Sequence, residues 1–112
     1  MKQVTRTIPY SISLADSFFK RLKGLMFRKE ELVDEGLWII PCNSIHMCFM
    51  KFEIDAVFLS KEGRIVKIVE RLKPWKFVKP IQNAYSVVEL PSGEASNLGL
   101  KPGEKIILNV IS

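Results

Sequence analysis

The hydrophobic pattern of the chain consists of short apolar runs separated by residues that form turns. Runs of four to nine residues with many β-branched and aromatic side chains predict strands rather than helices. Pro41, Gly63, Pro91 and Gly103 interrupt the chain between these runs. The predicted strands are residues 37–40, 56–59, 64–72, 84–90 and 106–111.

A further strand is predicted over residues 5–12, and it contains Pro9. Because proline has no backbone N–H to donate to a neighbouring strand, it is tolerated mainly at the edge of a sheet. We therefore expect this first strand at an edge. The four residues 60–63 end in Gly63 and lie between two predicted strands, which indicates a hairpin turn.

The one long helix is predicted over residues 13–24, and residues 94–98 form at most one helical turn. Ser13 can cap a helix, and Asp16, three residues later, completes a capping-box arrangement. Basic residues in the last turn and Gly24 after it are typical of a helix end. The apolar face of this predicted helix consists of Leu14, Phe18, Leu22 and Leu25.

Many short strands and one helix predict a mainly β protein, a small antiparallel β-sandwich or barrel with one packing α-helix near the N-terminus. A chain of 112 residues forms a single domain, residues 1–112. With 47% hydrophobic and 26% charged residues, the composition is that of a globular protein and excludes a disordered chain.

The sequence predicts a cytoplasmic protein without a transmembrane segment. No apolar run approaches the roughly 20 residues that span a bilayer, and residues 1–6 lack the apolar core of a signal peptide. Cys42 and Cys48 are expected to be free thiols, although their spacing leaves a disulfide open. The net charge of +5 favours an anionic partner only weakly, since soluble domains of this size often carry such a charge.

The residues most suited to chemistry lie between positions 44 and 55. This segment contains the only histidine, His46, together with Cys48, Met50 and Asp55 among large apolar residues. A polar group in apolar surroundings costs several kcal/mol unless it is paired or hydrated. A functional site is therefore predicted here.

Three blocks of the sequence, in order, resemble a known family. The first is RLKGLMFR at 21–28; the second begins with Ile45-His46 and runs through Met50, Phe52 and the IDAVFL run at 54–59 to residue 66. The third contains VVELPSG at 87–93, then LGL at 98–100 and the PGE turn at 102–104. Together these blocks resemble domain-of-unknown-function family 192, a bacterial and archaeal group.

The resemblance implies a compact, mainly β, sandwich-like domain, and it implies no established activity, cofactor or metal. Some members of the family resemble exported proteins in carrying a leader sequence, and none is expected in this chain. The chain also has Met47 where the family resemblance leads us to expect a threonine, so a hydroxyl is missing beside the expected site.

Four polar residues within these blocks are candidate binding residues. Arginine recognises carboxylate or phosphate through two parallel hydrogen bonds, and histidine beside a carboxylate can act as a general base. We expect a pocket for a small anionic or amphipathic ligand, with Met26, Trp38, Met50 and Phe58 as its apolar lining. The polar candidates are Arg28, His46, Asp55 and Glu89.

Two alternatives to a shared pocket remain open. Arg28 can instead form a structural ion pair with Asp55 or Glu89 that fixes the register of the fold. His46 with Asp55 can also serve a hydrolytic or metal-assisted enzyme.

Metal and thiol chemistry are weaker alternatives. Cys42, His46 and Cys48 offer soft ligands, but their spacing matches no common zinc site, so neither a metal nor a cofactor is expected. A cysteine nucleophile paired with His46 would need a depressed thiol pKa and an oxyanion donor.

Residues 71–80 interleave cations with aromatic rings. In a nucleic-acid binder the cations neutralise phosphates while the rings stack on unpaired bases, and in a protein interface the rings would fill a partner's pocket. The favoured expectation is that the rings fold back onto the domain while the lysines stay in water. The residues concerned are Arg71, Lys73, Trp75, Lys76, Phe77 and Lys79.

Overall fold

The fold is seen in a computed structural model that describes residues 4–111, apart from the side chain of Phe18. Within these residues the chain forms eight strands and two short helices. In chain order they are β1 (Thr5–Ala15), α1 (Phe18–Lys23), β2 (Glu35–Ile39), β3 (Ile45–His46), β4 (Ile54–Leu59), β5 (Ile65–Leu72), β6 (Phe77–Val78), β7 (Ser86–Pro91), α2 (Glu94–Asn97) and β8 (Lys105–Ile111).

Six strands form one mixed sheet in the order β5-β4-β7-β2-β1-β8, and β3 pairs with β6 in a small second sheet. The mainly β class is confirmed, but the main sheet is not purely antiparallel, since β1 runs parallel to both β2 and β8. The turn-based prediction of a hairpin at 60–63 is confirmed by antiparallel pairing of β4 with β5.

The prediction that the first strand lies at an edge is wrong, because β1 pairs with neighbours on both sides. Pro9 is tolerated there because neither neighbour pairs with it. The pairing with β2 begins only at Ser11, and the pairing with β8 shifts register between Thr7 and Ser11. The missing N–H therefore falls in an irregularity of the ladder.

The main sheet separates two apolar clusters. Along β4, Ile54 and Phe58 contact one cluster while Val57 contacts the other, and β7 divides Val87 and Val88 in the same way. Both central strands are buried on both faces, which explains why their sequences read as continuous apolar runs.

The two edge strands of the sheet approach each other at one corner. Arg64 forms an isolated bridge with Lys105, and the N–H of Ile65 donates to the carbonyl of Glu104 at 2.8 Å. The described strands do not close into a barrel beyond this contact.

The helix predicted over residues 13–24 is shorter than expected, because only residues 18–23 are helical and residues 13–15 belong to β1. Ser13 lies in β1, and the helix begins after Ser17, whose Oγ accepts from the N–H of Lys20 at 3.3 Å. Gly24 ends the helix as predicted, with φ of 49°. The predicted apolar face does not form: Leu14 belongs to β1 and Leu22 is 53% exposed. The side chain of Phe18, also assigned to that face, lies outside the described part of the structure.

Candidate functional site

A small pocket forms between α1, the segment around β3, and β7. Gly24 lies directly above the carboxyl group of Glu89, since a Cβ built at Gly24 would lie 3.8 Å from Glu89 Oε1. The pocket has a volume of about 40 Å³, room for roughly three water-sized groups at roughly 10–15 Å³ each. Its lining residues are Arg21, Leu22, Lys23, Leu25, Met26, Ile39, Cys42, Ser44, Ile45, His46, Met50 and Glu89. We call this the Glu89 pocket.

Glu89 is the buried polar group of this pocket. Its residue is 3% exposed, and Oε1 has no hydrogen-bond partner in the described part of the structure. Burial raises the pKa of the carboxyl group to about 8, because desolvation disfavours the charged form. At neutral pH the group is therefore mainly the uncharged acid, which can donate as well as accept.

His46 is held by its own backbone surroundings. Its Nδ1 accepts from the N–H of Cys48 at 3.3 Å, and the residue pairs with Phe77 across the small sheet. An acceptor role for Nδ1 places the proton of the neutral ring on Nε2. His46 thus lines the pocket that holds the Glu89 acid while its Nδ1 is occupied by the backbone.

Cys42 lines the same pocket as a thiol. Its Sγ lies 2.9 Å from the carbonyl oxygen of Ser44, to which it donates. Burial raises the pKa of the Cys42 thiol, and the nearby Glu89 adds to the shift. Both Cys42 and Cys48 are free, so no disulfide joins them.

Four of the eight predicted site residues meet in the Glu89 pocket: Met26, His46, Met50 and Glu89. The other four lie elsewhere. Sequence reasoning did not identify Arg21 and Lys23, which also line the pocket. The available signal in the sequence was the group of basic residues in the last turn before Gly24.

Arg28 forms an ion pair with a partner that the sequence did not indicate. Its two terminal nitrogens donate to Glu35, Nη1 to Oε1 at 3.0 Å and Nη2 to Oε2 at 2.9 Å. Its Nε donates to the carbonyl of Glu30 at 3.0 Å. The guanidinium group therefore ties the loop after α1 to the start of β2 and does not line the Glu89 pocket.

Asp55 lies on the opposite face of the sheet from Glu89. The register pairs Glu89 with Ala56, so the neighbouring Asp55 points to the other side. Its carboxylate accepts from the N–H of Ala95 at 2.8 Å and from the N–H of Arg71 at 2.9 Å. The structure therefore does not pair Asp55 with His46, and the carboxylate caps α2 instead.

The two remaining predicted residues are also outside the pocket. Phe58 is fully buried in the apolar cluster on the Glu89 side of the sheet. Trp38 contacts the other cluster, where its indole Nε1 is buried without a hydrogen-bond partner in the described residues. Met47, which replaces the expected threonine, is fully buried in the core.

Cys42 and His46 both line the Glu89 pocket, but Cys48 does not. Among residues 4–111, no group of three or more His, Cys, Asp or Glu side chains is placed to hold a metal ion. Neither helix of this part of the chain is long and apolar enough to cross a membrane.

The aromatic residues of the 71–80 segment do not fold back onto the domain. Trp75 is 63% exposed and Phe77 62% exposed. The reason is local, since Trp75 has φ of 69° and its N–H donates to the carbonyl of Met47 at 2.8 Å. This backbone conformation directs the indole outward, against the ring of Phe49 at 5.0 Å between centroids.

Comparison with known proteins gives concordant matches. The model of the DUF192 family, described as an uncharacterised ACR, matches residues 2–108. A UPF0127 protein of Pyrococcus furiosus is 34% identical over 109 residues, which cover 93% of this chain and 91% of that protein. A UPF0127 protein of Thermococcus sibiricus is 36% identical over 101 residues, which cover 85% of this chain and 64% of that protein.

A solved structure is similar as well. The crystal structure of a protein of unknown function from Novosphingobium aromaticivorans matches with a TM-score of 0.75 and 29% identity. The match covers 83% of this chain and 71% of that chain.

Proposed function

Since the chain belongs to the DUF192 family of uncharacterised proteins, we propose its function from the geometry of the Glu89 pocket: it is a binding module for a small amphipathic ligand with an anionic head group. The observation that carries the proposal is the buried carboxyl group of Glu89, whose Oε1 has no hydrogen-bond partner among the described residues. A buried polar group without a partner is costly unless a water or ligand satisfies it.

The charges around the pocket favour an anion over a cation. Arg21 and Lys23 belong to its lining, and Glu89 is the only acidic residue there. Because the pKa of Glu89 is raised to about 8, its carboxyl group is neutral below that pH. A neutral carboxyl group donates to an anionic oxygen in a short, charge-assisted hydrogen bond.

The size and walls of the pocket favour an amphipathic ligand. A volume of about 40 Å³ accepts a head group such as a carboxylate and leaves the remainder of the ligand outside. The thioethers of Met26 and Met50 line the pocket, and methionine adapts well to irregular apolar groups.

Binding is favoured over hydrolysis by the placement of the candidate catalytic groups. Asp55 is occupied by two backbone N–H groups on the other face of the sheet. Burial raises the pKa of the Cys42 thiol, which opposes formation of the nucleophilic thiolate.

The test is titration calorimetry with octanoate, with octylamine as the matched cationic amphiphile. We expect octanoate to bind and octylamine not to bind. Glu89→Leu should weaken octanoate binding by roughly tenfold or more because a hydrogen bond to a charged group is lost. Glu89→Gln should retain binding because its amide still donates.

The control is Glu31→Gln, which changes an exposed residue away from the pocket lining and should bind like the wild type. Octanoate binding should also weaken as the pH rises through about 8, where Glu89 ionises. Tighter binding of octylamine, or unchanged binding by Glu89→Leu, would contradict the proposal.

A second candidate function is an interaction surface along residues 71–80 that takes a nucleic acid or a protein. The exposure of Trp75 and Phe77 favours it, because large exposed aromatic side chains are enriched where partners bind.

A further inference from the structure

Three aromatic rings from separate segments form one exposed cluster. Phe27 stacks on Phe49 with centroids 4.9 Å apart, and Phe49 meets Trp75 edge-on at 5.0 Å. Their exposed fractions are 58% for Phe27, 47% for Phe49 and 63% for Trp75. We call these three residues the aromatic cluster.

All three members of the aromatic cluster have left-handed backbone conformations. The φ angles are 65° at Phe27, 61° at Phe49 and 69° at Trp75. Such angles are strained for bulky residues, and glycine or asparagine would satisfy the turns at less cost. Backbone hydrogen bonds maintain them: Phe27 N–H donates to Phe49 at 3.0 Å, and Trp75 N–H donates to Met47 at 2.8 Å. The turns therefore present fixed rings to solvent.

The segments that carry the cluster are free of carboxylates. Residues 17–29, 41–52 and 71–83 contain ten lysines and arginines and no aspartate or glutamate. Lys73 and Lys76 flank Trp75 in the sequence, and both are exposed. Arg28 is neutralised by Glu35, but the other cations of these segments form no ion pair with a described carboxylate.

From this combination we propose that the aromatic cluster and the lysines around it bind single-stranded nucleic acid. The lysines contact phosphates, and Trp75 stacks on an unpaired base. The inference rests on the interaction surface of residues 71–80 and extends it to Phe27 and Phe49. The three rings, Lys73 and Lys76 do not line the Glu89 pocket.

The rigidity of the cluster favours this partner over a lipid surface. A bilayer accepts apolar side chains in many orientations, whereas stacking requires a flat ring fixed in place. A duplex is disfavoured because its bases already stack on one another and their faces are inaccessible. A single strand has a polyanionic backbone that matches the lysines and exposed base faces that match the aromatic rings.

The test is fluorescence anisotropy with a labelled single strand of about 12 nucleotides, a length typical of such sites. Trp75→Gly should weaken binding by about fivefold or more because one stacking contact is lost. The same change should leave the melting temperature unchanged or raised, since glycine relieves the strained backbone at φ of 69°. Trp75→Phe should restore most of the affinity because it keeps a ring.

The contribution of charge is tested with the double variant Lys73→Glu/Lys76→Glu. The control is Lys67→Glu/Lys105→Glu, which changes the net charge by the same amount at exposed positions of β5 and β8. Only the first pair should weaken binding. It should also reduce the slope of the logarithm of the binding constant against the logarithm of salt concentration by roughly one to two, measured over roughly 50 to 200 mM salt. Equal loss in both pairs, or equal binding of the duplex form, would overturn the proposal.

Sedimentation with phosphatidylserine vesicles separates the inference from the surface on which it rests. Vesicle binding that depends on Trp75, without binding of the single strand, would keep the interaction surface and reject nucleic acid as its partner. Binding of neither would reject both.

Discussion

Gly36 shows how closely the backbones pack at the centre of the sheet. It lies in β2 between β1 and β7, and a Cβ there would approach Ile12 Cδ1 to 2.7 Å and the backbone oxygen of Glu89 to 2.9 Å. The isoleucine side chain can rotate, but the carbonyl belongs to a paired strand and cannot move alone. Position 36 therefore requires glycine because there is no room for a Cβ, and not because glycine is flexible.

Gly36→Ala should therefore destabilise the protein by about 1–3 kcal/mol, the usual cost of overpacking a core. The measurement is the free energy of unfolding in urea. Gly103→Ala is the matched control, because a Cβ at Gly103 meets nothing within 4 Å and only its φ of 93° is unfavourable. A loss below about 0.5 kcal/mol for Gly36→Ala would contradict this account of the packing.

The half-buried His46 and the buried Glu89 were predictable as candidates from the sequence because each is a polar residue within an apolar block. Their expected convergence with Asp55 was wrong, and the sequence could not reveal that Asp55 lies on the opposite face of the sheet. On strands buried on both faces, apolar residues occupy every position, so the alternation that separates the two faces is absent from the sequence. Only the register of β4 against β7 separates Asp55 from Glu89.

At the scale of elements, Asp55 joins two pieces of structure that are far apart in the chain. One carboxylate oxygen accepts from Ala95 at the start of α2, and the other accepts from Arg71 in β5. The pairing of β4 with β5 shifts register beside Asp55, and Arg71 has φ of 52°. The carboxylate thus stabilises both an irregular strand and a helix of one turn.

Asp55→Ala should cost about 2–4 kcal/mol, because two backbone N–H groups lose their acceptor. Hydrogen exchange should accelerate at the amides of Arg71 and Ala95, which reports the loss locally. Asp16→Ala, at an exposed position, should change stability by less than about 0.5 kcal/mol. Unchanged exchange at both amides would show that the carboxylate does not hold these elements.

Strands were predicted from the sequence more accurately than the helix. The turn residues around β2, β4, β7 and β8 mark strand ends directly, and the structure places strands at these positions. The start of the helix was predicted wrongly because Ser13 and Asp16 resemble a capping box, whereas Ser13 pairs with both β2 and β8 in the sheet. Strand pairing joins residues that are distant in the chain, so the spacing of residues within one segment could not predict it.

At the scale of the whole molecule, carboxylates with opposite pKa shifts determine how stability depends on pH. The hydrogen bond from Arg28 lowers the pKa of Glu35. Burial alone would raise the pKa of Glu104, but the bonds from Arg6 and from the backbone of Lys101 more than offset it and lower the pKa. Both groups stabilise the fold above the ordinary glutamate pKa, and this contribution is lost in acid.

Glu89 acts in the opposite direction because burial raises its pKa to about 8 from the ordinary 4.5. The folded state holds a proton that the unfolded state releases between these two values, so stability falls as pH rises through that window. The slope is about 1.4 kcal/mol per pH unit for one proton. Because the stabilisation from Glu35 and Glu104 is lost in acid, the free energy of unfolding should be greatest near the lower end of the window.

Glu89→Gln removes the titrating group and keeps a neutral side chain of similar shape. Its stability relative to the wild type should rise by on the order of 2–3 kcal/mol between pH 4.5 and 7 and level off above about 8. Urea unfolding at several pH values measures both proteins, and their difference cancels the titrations that they share. Glu31→Gln, at an exposed position, should follow the wild-type curve. A constant difference between Glu89→Gln and wild type would mean that the Glu89 carboxyl group is ionised in the folded protein, and the pocket would then favour a cationic head group over an anionic one.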